Sequence, residues 1–547
     1  MVYLVKYIIT AALPYAYSIP HLGNFVGSIL PADVYFKYLN LKGEDAIFIC
    51  GSDQHGTPIE LKAIQAKKSP EELSEEMHRT INELFAGFEC SFTHYGKTHS
   101  EKNKEEVYEI FNALKEGGYI KEVERTQAYC NFDKRFLIDR LIEGTCPYCG
   151  YKSAKGDQCD NCGKVLDAKD LISPMCMMCG RSDISFLAVK ALAIALDKLE
   201  KEIKSFIMEN SKNNWPKTVT NKSLSFISSG LQPRDITRNM SWGFKVPEKG
   251  FEDSVFYVWF DALIGYIGIT REWDEKRWKD YWISNETKLI QFMGKDNLEF
   301  HAVMWPGMLI GSGLGFALPT TLKASEYLTF KSMKFSKSKG TGIDLRDALR
   351  ILDADYWRFA LMYLYPETAD TDFSFEMLQE IVNSIMNDKI GNLVQRVFKL
   401  CYMHKETISE GMMLEQYRPK IDEIIEQYKD RFEKLELREA LRSLIGLAEL
   451  GNQIVSESKP WELAGSDNES FSRIMNTLKE IVYDIGILIY PFSPNASRKI
   501  LESFSIDKEP NMGMLLENIR INLKKDPEPI FRKIKDKDIQ QELQDKG

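Results

Sequence analysis

YLVKYIITAALPYAYSIPHLGNFVGSILPADVYFKYLNLKGEDAIFICGSD, residues 3–53, is the stretch that decides the fold. Residues 3–12 form an apolar, β-rich run that Pro14 and the turn through Ser18-Ile19-Pro20 bring to an end. Residues 21–43 carry a helical periodicity that stops at Gly43, a residue type suited to ending a helix. A second buried run, Asp45 to Cys50, ends in Gly51-Ser52-Asp53. Strand, loop, helix and strand in that order open a parallel α/β sheet. Such sheets bind ligands at the carboxyl ends of their strands, so the polar clusters around His21 and Asp53 are expected on the ligand side.

The chain has 547 residues, enough for two to four domains and more than one core. Its 44% hydrophobic and 28% charged residues predict a soluble globular protein. The apolar N-terminus has no signal-peptide cleavage pattern and is too short to span a membrane, so a cytosolic location is expected. A formal net charge of -9 argues against a general nucleic-acid coat protein, yet leaves room for local basic patches. One such patch is KFSKSKG at residues 334–340. Taken alone, a Lys/Ser loop is either solvated or phosphate-binding. Pro20-His21-Leu22-Gly23-Asn24 is open in the same way: a phosphate-binding helix start, or a turn histidine with a capping asparagine. Asp53 is either a strand-end ligand carboxylate or a helix cap.

The ten cysteines are clustered. Cys50, Cys90 and Cys401 stand apart and read as buried hydrophobes. Cys146-x2-Cys149 and Cys159-x2-Cys162 have the spacing of a tetrahedral zinc site, and four such ligands leave no open position for catalysis. A redox role is the alternative. Cys176-x2-Cys179 lacks a CxxC partner, but Cys130 and Asp133 share its spacing, and a Cys3Asp site is chemically allowed; the alternative is a pair without metal. Residues 119–190 therefore read as a small inserted module. Strand-like runs at Ser254 to Phe260 and Lys288 to Met293 predict that the sheet resumes. Amphipathic patterns over 376–402, 417–458 and 467–491 predict a helical bundle, and 522–547 a solvated arm or packed tail.

The His-x-Gly near the N-terminus and the Lys-x-Ser-Lys-Ser loop far downstream form a paired signature. With them stand Ala12-Leu13-Pro14-Tyr15-Ala16, Gly51-Ser52-Asp53-Gln54-His55-Gly56-Thr57-Pro58, Asp235-Ile236-Thr237-Arg238, Tyr257-Val258-Trp259-Phe260-Asp261-Ala262, Gly294-Lys295-Asp296-Asn297, Phe300-His301 and Lys459-Pro460-Trp461. In this order they resemble the class I aminoacyl-tRNA synthetases, and within them the methionyl-tRNA synthetases, over most of the chain.

The resemblance implies an α/β Rossmann-type catalytic domain in two halves, 1–118 and 236–324. Between them would lie a connective insertion with zinc knuckles, 119–235. A KFSKS loop and stem-contact segment, 325–375, and a helical anticodon-binding domain with a C-terminal arm, 376–547, would follow. It implies ATP-dependent activation of L-methionine to methionyl-adenylate, then transfer to the 3′-terminal adenosine of tRNA(Met), including initiator tRNA. Lys337 would be the main catalytic cation, with Lys334, His21, Asn24 and Arg238. His21, Gly23, Asn24, Lys334, Ser336 and Lys337 would bind ATP with its Mg. Leu13, Tyr15, Asp53, Trp259, Ala262, Ile264, Tyr266 and His301 would bind methionine. Asn392, Arg396 and Trp461 would read the anticodon. Some relatives hold two zincs, which favours metal at both cysteine clusters, Cys146, Cys149, Cys159, Cys162 and Cys130, Asp133, Cys176, Cys179. A monomer without membrane attachment is expected.

The chain departs from the family at Asn24, where a second histidine is usual, at Tyr17-Ser18, at Phe335 for methionine, and at Leu263 where the pocket often has proline. None of these removes a required charge. The insertion has little room for the editing domain of the valine, isoleucine and leucine enzymes. No cysteine lies between Met1 and Ile49 to suit the cysteine enzyme. A non-catalytic RNA-binding paralogue would be expected to have lost Lys337 or His21, and no open three-ligand metal site suits a zinc hydrolase.

Overall fold

The computed structural model describes residues 5–535 apart from 138–140, 157–158, 160, 163, 165, 213–214, 285, 331–332, 335–341, 410–412 and 516–527. Five parallel strands form the central sheet, in the order Pro319–Ser325, Lys288–Gly294, Lys6–Ala11, Asp45–Ser52, His94–Lys97. The chain runs outward from the first strand to one edge, then returns to its other side. The point where the order reverses lies beside Lys6–Ala11, where open α/β sheets bind ligands. The inner strands Lys6–Ala11, Asp45–Ser52 and Lys288–Gly294 are largely apolar because both faces are covered. The helix Leu30–Lys42 and the helical bundle share one core with one face. Glu101–Glu116, Val258–Trp273 and Trp305–Ser312 cover the other.

The insertion is a long antiparallel ribbon, Ile120–Cys130 against Ile184–Ile194, with the cysteine loops at its far end. The predicted strand at 254–260 is mostly absent. Val255–Phe256 pairs with Thr237–Arg238 and bridges Lys245 rather than joining the central sheet, and Val258–Trp273 is a helix. The aromatic and β-branched residues mimic a strand locally, but the apolar pattern continues for four more turns with Asp261 in the first. The run at 288–293 does rejoin the sheet.

The bundle begins with a continuous helical run from Phe375 to Met403, which includes a π-helical stretch, Ile381–Gly391. The pattern over 417–458 is two helices, Arg418–Glu433 and Leu437–Ser458, broken at Leu435, whose φ is 57°. Asn468–Leu488 and Pro494–Glu502 complete it. Of the tail, Ile530, Phe531 and Ile534 are buried, and Ile534 exchanges backbone hydrogen bonds with the Asn383 side chain.

A buried ion cluster joins sheet domain and bundle. Asp33, Lys37 and Arg358 are at most 1% exposed. Lys37 Nζ lies 2.8 Å from both Asp33 oxygens, and Arg358 Nη2 lies 2.7 Å from Oδ2. The remaining donors go to the Ser91 hydroxyl and the carbonyls of Phe88, Glu89, Pro491 and Phe492. Burial alone would raise the Asp33 carboxyl, but the Lys37 and Arg358 charges outweigh it and hold it below its ordinary value. Its stabilisation is therefore present above the unfolded-state pKa of about 3.9 and lost as pH falls through the lower folded value. Asp33→Asn should cost about 3–5 kcal/mol in chemical unfolding, because two buried cations lose their partner. A loss below about 1 kcal/mol would place the stabilisation elsewhere.

Candidate active site

The carboxyl ends of the strands open on a cavity of about 420 Å³. Leu13 and Tyr15 reach it from the loop after the first strand, and Asp53 from the end of the second. Trp259, Ala262 and Tyr266 come from the helix Val258–Trp273, and His301 from the π turn Phe300–Met304. Leu263 also lines it. Ile264 does not; it is fully buried in the core. At about 100° per residue, positions 259, 262, 263 and 266 share one side of the helix, and 264 points away from them.

His301 is buried between two partners. Its Nδ1 is 2.9 Å from the Asn297 carbonyl, and its Nε2 is 2.9 Å from the Tyr266 hydroxyl. Burial lowers its pKa to about 4, so the ring is neutral near pH 7, with Nδ1–H donating to the carbonyl and the hydroxyl donating to Nε2. Trp259 stacks on Phe300 with ring centroids 3.8 Å apart. The walls contributed by Leu13, Trp259, Ala262, Leu263 and Tyr266 are thus apolar and aromatic, while Asp53, Asp296 and Glu326 are the carboxylates that line the cavity.

Asp53 is 4% exposed, and no basic side chain pairs with it among the described residues. Its Oδ1 accepts the His55 N–H at 3.3 Å. Burial first, and the nearby Asp261 second, push its pKa well above the ordinary carboxylate value. A buried carboxylate without a cation is costly, and its natural complement is a ligand cation.

His21, Gly23 and Asn24 line the opposite end of the cavity. His21 caps the helix: its Nδ1 accepts the Asn24 N–H at 3.1 Å, and Asn24 Oδ1 accepts the His21 N–H at 3.2 Å. The capping alternative is therefore what these side chains do here. It is compatible with ligand binding, because a neutral ring accepting at Nδ1 carries its proton on Nε2. Backbone bonds from Leu22 N to Ile343 O and from Leu345 N to Pro20 O tie this helix start to the segment following the lysine loop. Before the loop, Lys334 sits in a short strand, Met333–Lys334, paired with Leu328–Phe330. Ser336 and Lys337, and the Lys334 side chain, lie outside the described residues. Both ends of the loop are thus anchored beside the cavity. Arg238 does not line it. It stacks on Tyr257, 4.0 Å from the centroid, and lies 3.6 Å from Asp235, in an adjoining cleft that shares Tyr15 and Trp259 with the cavity.

The cysteine clusters are assembled as the spacing predicts. Ligand atoms of Cys146, Cys149, Cys159 and Cys162 lie within 4.8 Å of one another, as do those of Cys130, Asp133, Cys176 and Cys179. The sulfurs of Cys146 and Cys162 are 3.9 Å apart, those of Cys149 and Cys159 3.6 Å, and those of Cys130 and Cys179 3.6 Å. A tetrahedron with Zn–S bonds of about 2.3 Å has edges of about 3.8 Å, while a disulfide needs about 2.05 Å. Both clusters fit zinc.

Comparison with known proteins agrees with this geometry. The family model "tRNA synthetases class I (M)" matches residues 7–398, and "Anticodon binding domain of methionyl tRNA ligase" matches 407–546. Proteins named methionine–tRNA ligase from Pyrobaculum aerophilum and Pyrobaculum islandicum are 37% and 38% identical, each covering 98% of this chain, with 95% and 96% of their own lengths matched.

The chain belongs to the methionyl-tRNA synthetase family.

The crystal structure of Mycobacterium tuberculosis methionyl-tRNA synthetase bound by methionyl-adenylate has the same fold, with a TM-score of 0.78 at 21% identity, over 96% of this chain and 100% of that one. The enzyme is therefore an ATP-dependent ligase of the class I type, with a separate helical domain for the anticodon. Asn392 and Arg396, near the end of the synthetase match and before the anticodon-domain match begins, lie one turn apart on the helix Asn392–Met403, Arg396 exposed and Asn392 bonded to Asp388. Trp461, 53% exposed, sits on the short helix Pro460–Leu463.

Sequence reasoning missed several residues at the site. Asp296, Asn297 and Tyr327 line the cavity, and His55 and Asp261 form a buried pair behind Asp53. The signal was position: Asp296 and Asn297 follow a strand directly, as Asp53 does.

Proposed function

We propose that this cavity performs the family reaction, joining L-methionine to ATP as methionyl-adenylate and then passing the methionyl group to the 3′-terminal ribose of tRNA(Met), initiator tRNA included. The observation that carries the reading is Asp53: a buried carboxylate, without a basic partner among the described residues, that lines the cavity beside aromatic walls. An α-ammonium on Asp53 leaves a thioether side chain to pack among Leu13, Tyr15, Trp259, Ala262, Tyr266 and His301. Thioethers are apolar and polarisable and favour aromatic edges. ATP with Mg then lies along His21, Gly23 and Asn24. Lys337, aided by Lys334 and with Ser336 shaping the loop, meets charge developing on the departing pyrophosphate. Arg238, one cleft away, supplies a cation where the tRNA end or the phosphate approaches. Asn392, Arg396 and Trp461 read unstacked anticodon bases, for which an exposed indole is a stacking face. Zinc at both cysteine clusters holds the insertion in shape. Thiols at metal-ligand spacing rather than in disulfides suit a reducing cytoplasm. Among the described residues no helix is long and apolar enough to cross a membrane. A monomer is the simplest state consistent with these sites.

Asp53→Asn should weaken methionine binding by roughly 10- to 100-fold, the worth of a hydrogen bond to a charged group. The wild-type protein should lose affinity as pH falls, because the raised Asp53 pKa lets a proton compete with the ammonium; the asparagine variant should lose that dependence. Equal affinity in the two proteins, measured by fluorescence titration, would remove Asp53 from the reading.

Metal analysis of the purified protein should give close to two zincs per chain. Cys146→Ser should release one and Cys176→Ser the other. A single zinc in the wild-type chain would show that Cys130, Asp133, Cys176 and Cys179 hold none.

A further inference from the structure

Behind Asp53 lies a second buried carboxylate with an unusual partner. Asp261 is 0% exposed, and its Oδ2 is 2.6 Å from His55 Nδ1. Its Oδ1 has no hydrogen-bond partner among the described residues. His55, 1% exposed, reaches onward: its Nε2 is 2.8 Å from Nδ1 of His99, which is only partly buried. The His55 ring is packed edge-on against Trp242 and Phe244, and its backbone N–H is the group bonded to Asp53. Asn103 holds the Asp261 backbone carbonyl at 3.3 Å. The titratable groups around this line are Asp53 and Tyr266 at one end and Glu71, Glu101 and Lys97 around His99 at the other.

Two buried carboxylates this close are not both anionic at low cost. We propose that His55 is a positioning residue for methionine binding: it shares one proton with Asp261, so that the pair is neutral and Asp53 alone meets the substrate ammonium as an anion. The hydrogen bonds give the proton count. With the shared proton present, as carboxylic acid and imidazole or as carboxylate and imidazolium, His55 Nε2 bears a proton and donates to His99 Nδ1. With that proton gone, the pair is negative and His99 must donate instead. The half-buried His99 is thus the route by which the proton reaches solvent. Burial acts in the same sense on both members, raising Asp261 and lowering His55 to about 3, which favours the neutral pair. The inference rests on Asp53 being the ammonium site.

Binding of L-methionine and of its deamino analogue, the same thioether carboxylate without the ammonium, tests this in the full chain from acid to neutral pH. Glutamine at 55 keeps a hydrogen bond to Asp261 but is no base, so the proton is shared between Asp261 and Asp53. His55→Gln should weaken methionine roughly tenfold, the size of about one pKa unit of proton competition, and move the acid loss of affinity to higher pH. The deamino analogue should bind as before, which also reports an intact fold. Adding Asp261→Asn to His55→Gln should restore methionine binding, since the second carboxylate is then gone. An equal loss for both ligands, or a double variant no better than His55→Gln, overturns the proposal. If the wild-type protein binds the two ligands equally, Asp53 is not the ammonium site and the inference falls with it.

Discussion

Asp33 accepts hydrogen bonds from an ammonium and a guanidinium at a place with no solvent exposure, and most of the long-range geometry runs through that contact. An isolated charge there would be prohibitive, and a single ion pair would scarcely offset its own desolvation. The cluster is tolerable because every strong donor is used. Lys37 and Arg358 spend their remaining N–H groups on the Ser91 hydroxyl and on carbonyls from the segment 88–89 and the turn at 491–492. These bonds fix four pieces of chain at once: a sheet-packed helix, a loop before an edge strand, the helix Ala354–Tyr363 and the end of a bundle helix. Asp33 lies twelve residues along the helical run from His21, about 18 Å at 1.5 Å per residue. The His21 wall of the cavity and the joint to the helical bundle are therefore parts of one rod.

The cavity itself is governed by the same rule applied with the opposite result. Asp33 is given two cations and closed; Asp53 is given none and left at the mouth of the chamber. Around Asp53 the protein supplies a backbone N–H and aromatic walls but, among the described residues, no basic side chain. His301 and Tyr266 satisfy one another, so no polar group of that pair is left needing an ion, and the chamber stays apolar toward a thioether.

Much of this was legible in the sequence because it is local. The strand–helix–strand opening, the knuckle spacing and the motifs at His21 and Lys337 depend on neighbours a few residues apart, and the structure has the first two where periodicity and spacing put them. Asp133 could be paired with distant cysteines because its spacing from Cys130 copies that of a knuckle. What was not legible depends on contacts between distant segments. Asp33 and Lys37 look like an ordinary surface i, i+4 pair until Arg358 arrives from far along the chain. Phe256 to Phe260 has strand composition, and only the packing of the following turns makes most of it helix. The choice of Leu263 over Ile264 as pocket lining is a matter of helix phase that single residues do not announce. The break at Leu435 has neither glycine nor proline to mark it; it needs a leucine in the left-handed region, held there by helices packed on both sides.

The central claim is that one buried anion and one aromatic chamber select methionine for activation by ATP. The most direct measurement is ATP–pyrophosphate exchange by the wild-type chain, run separately with each of the standard amino acids and without tRNA. The account predicts strong exchange with methionine and little with leucine, isoleucine or valine, whose branched side chains lack the thioether's shape and polarisability. Exchange with one of those at the methionine rate, or none with methionine, would contradict it.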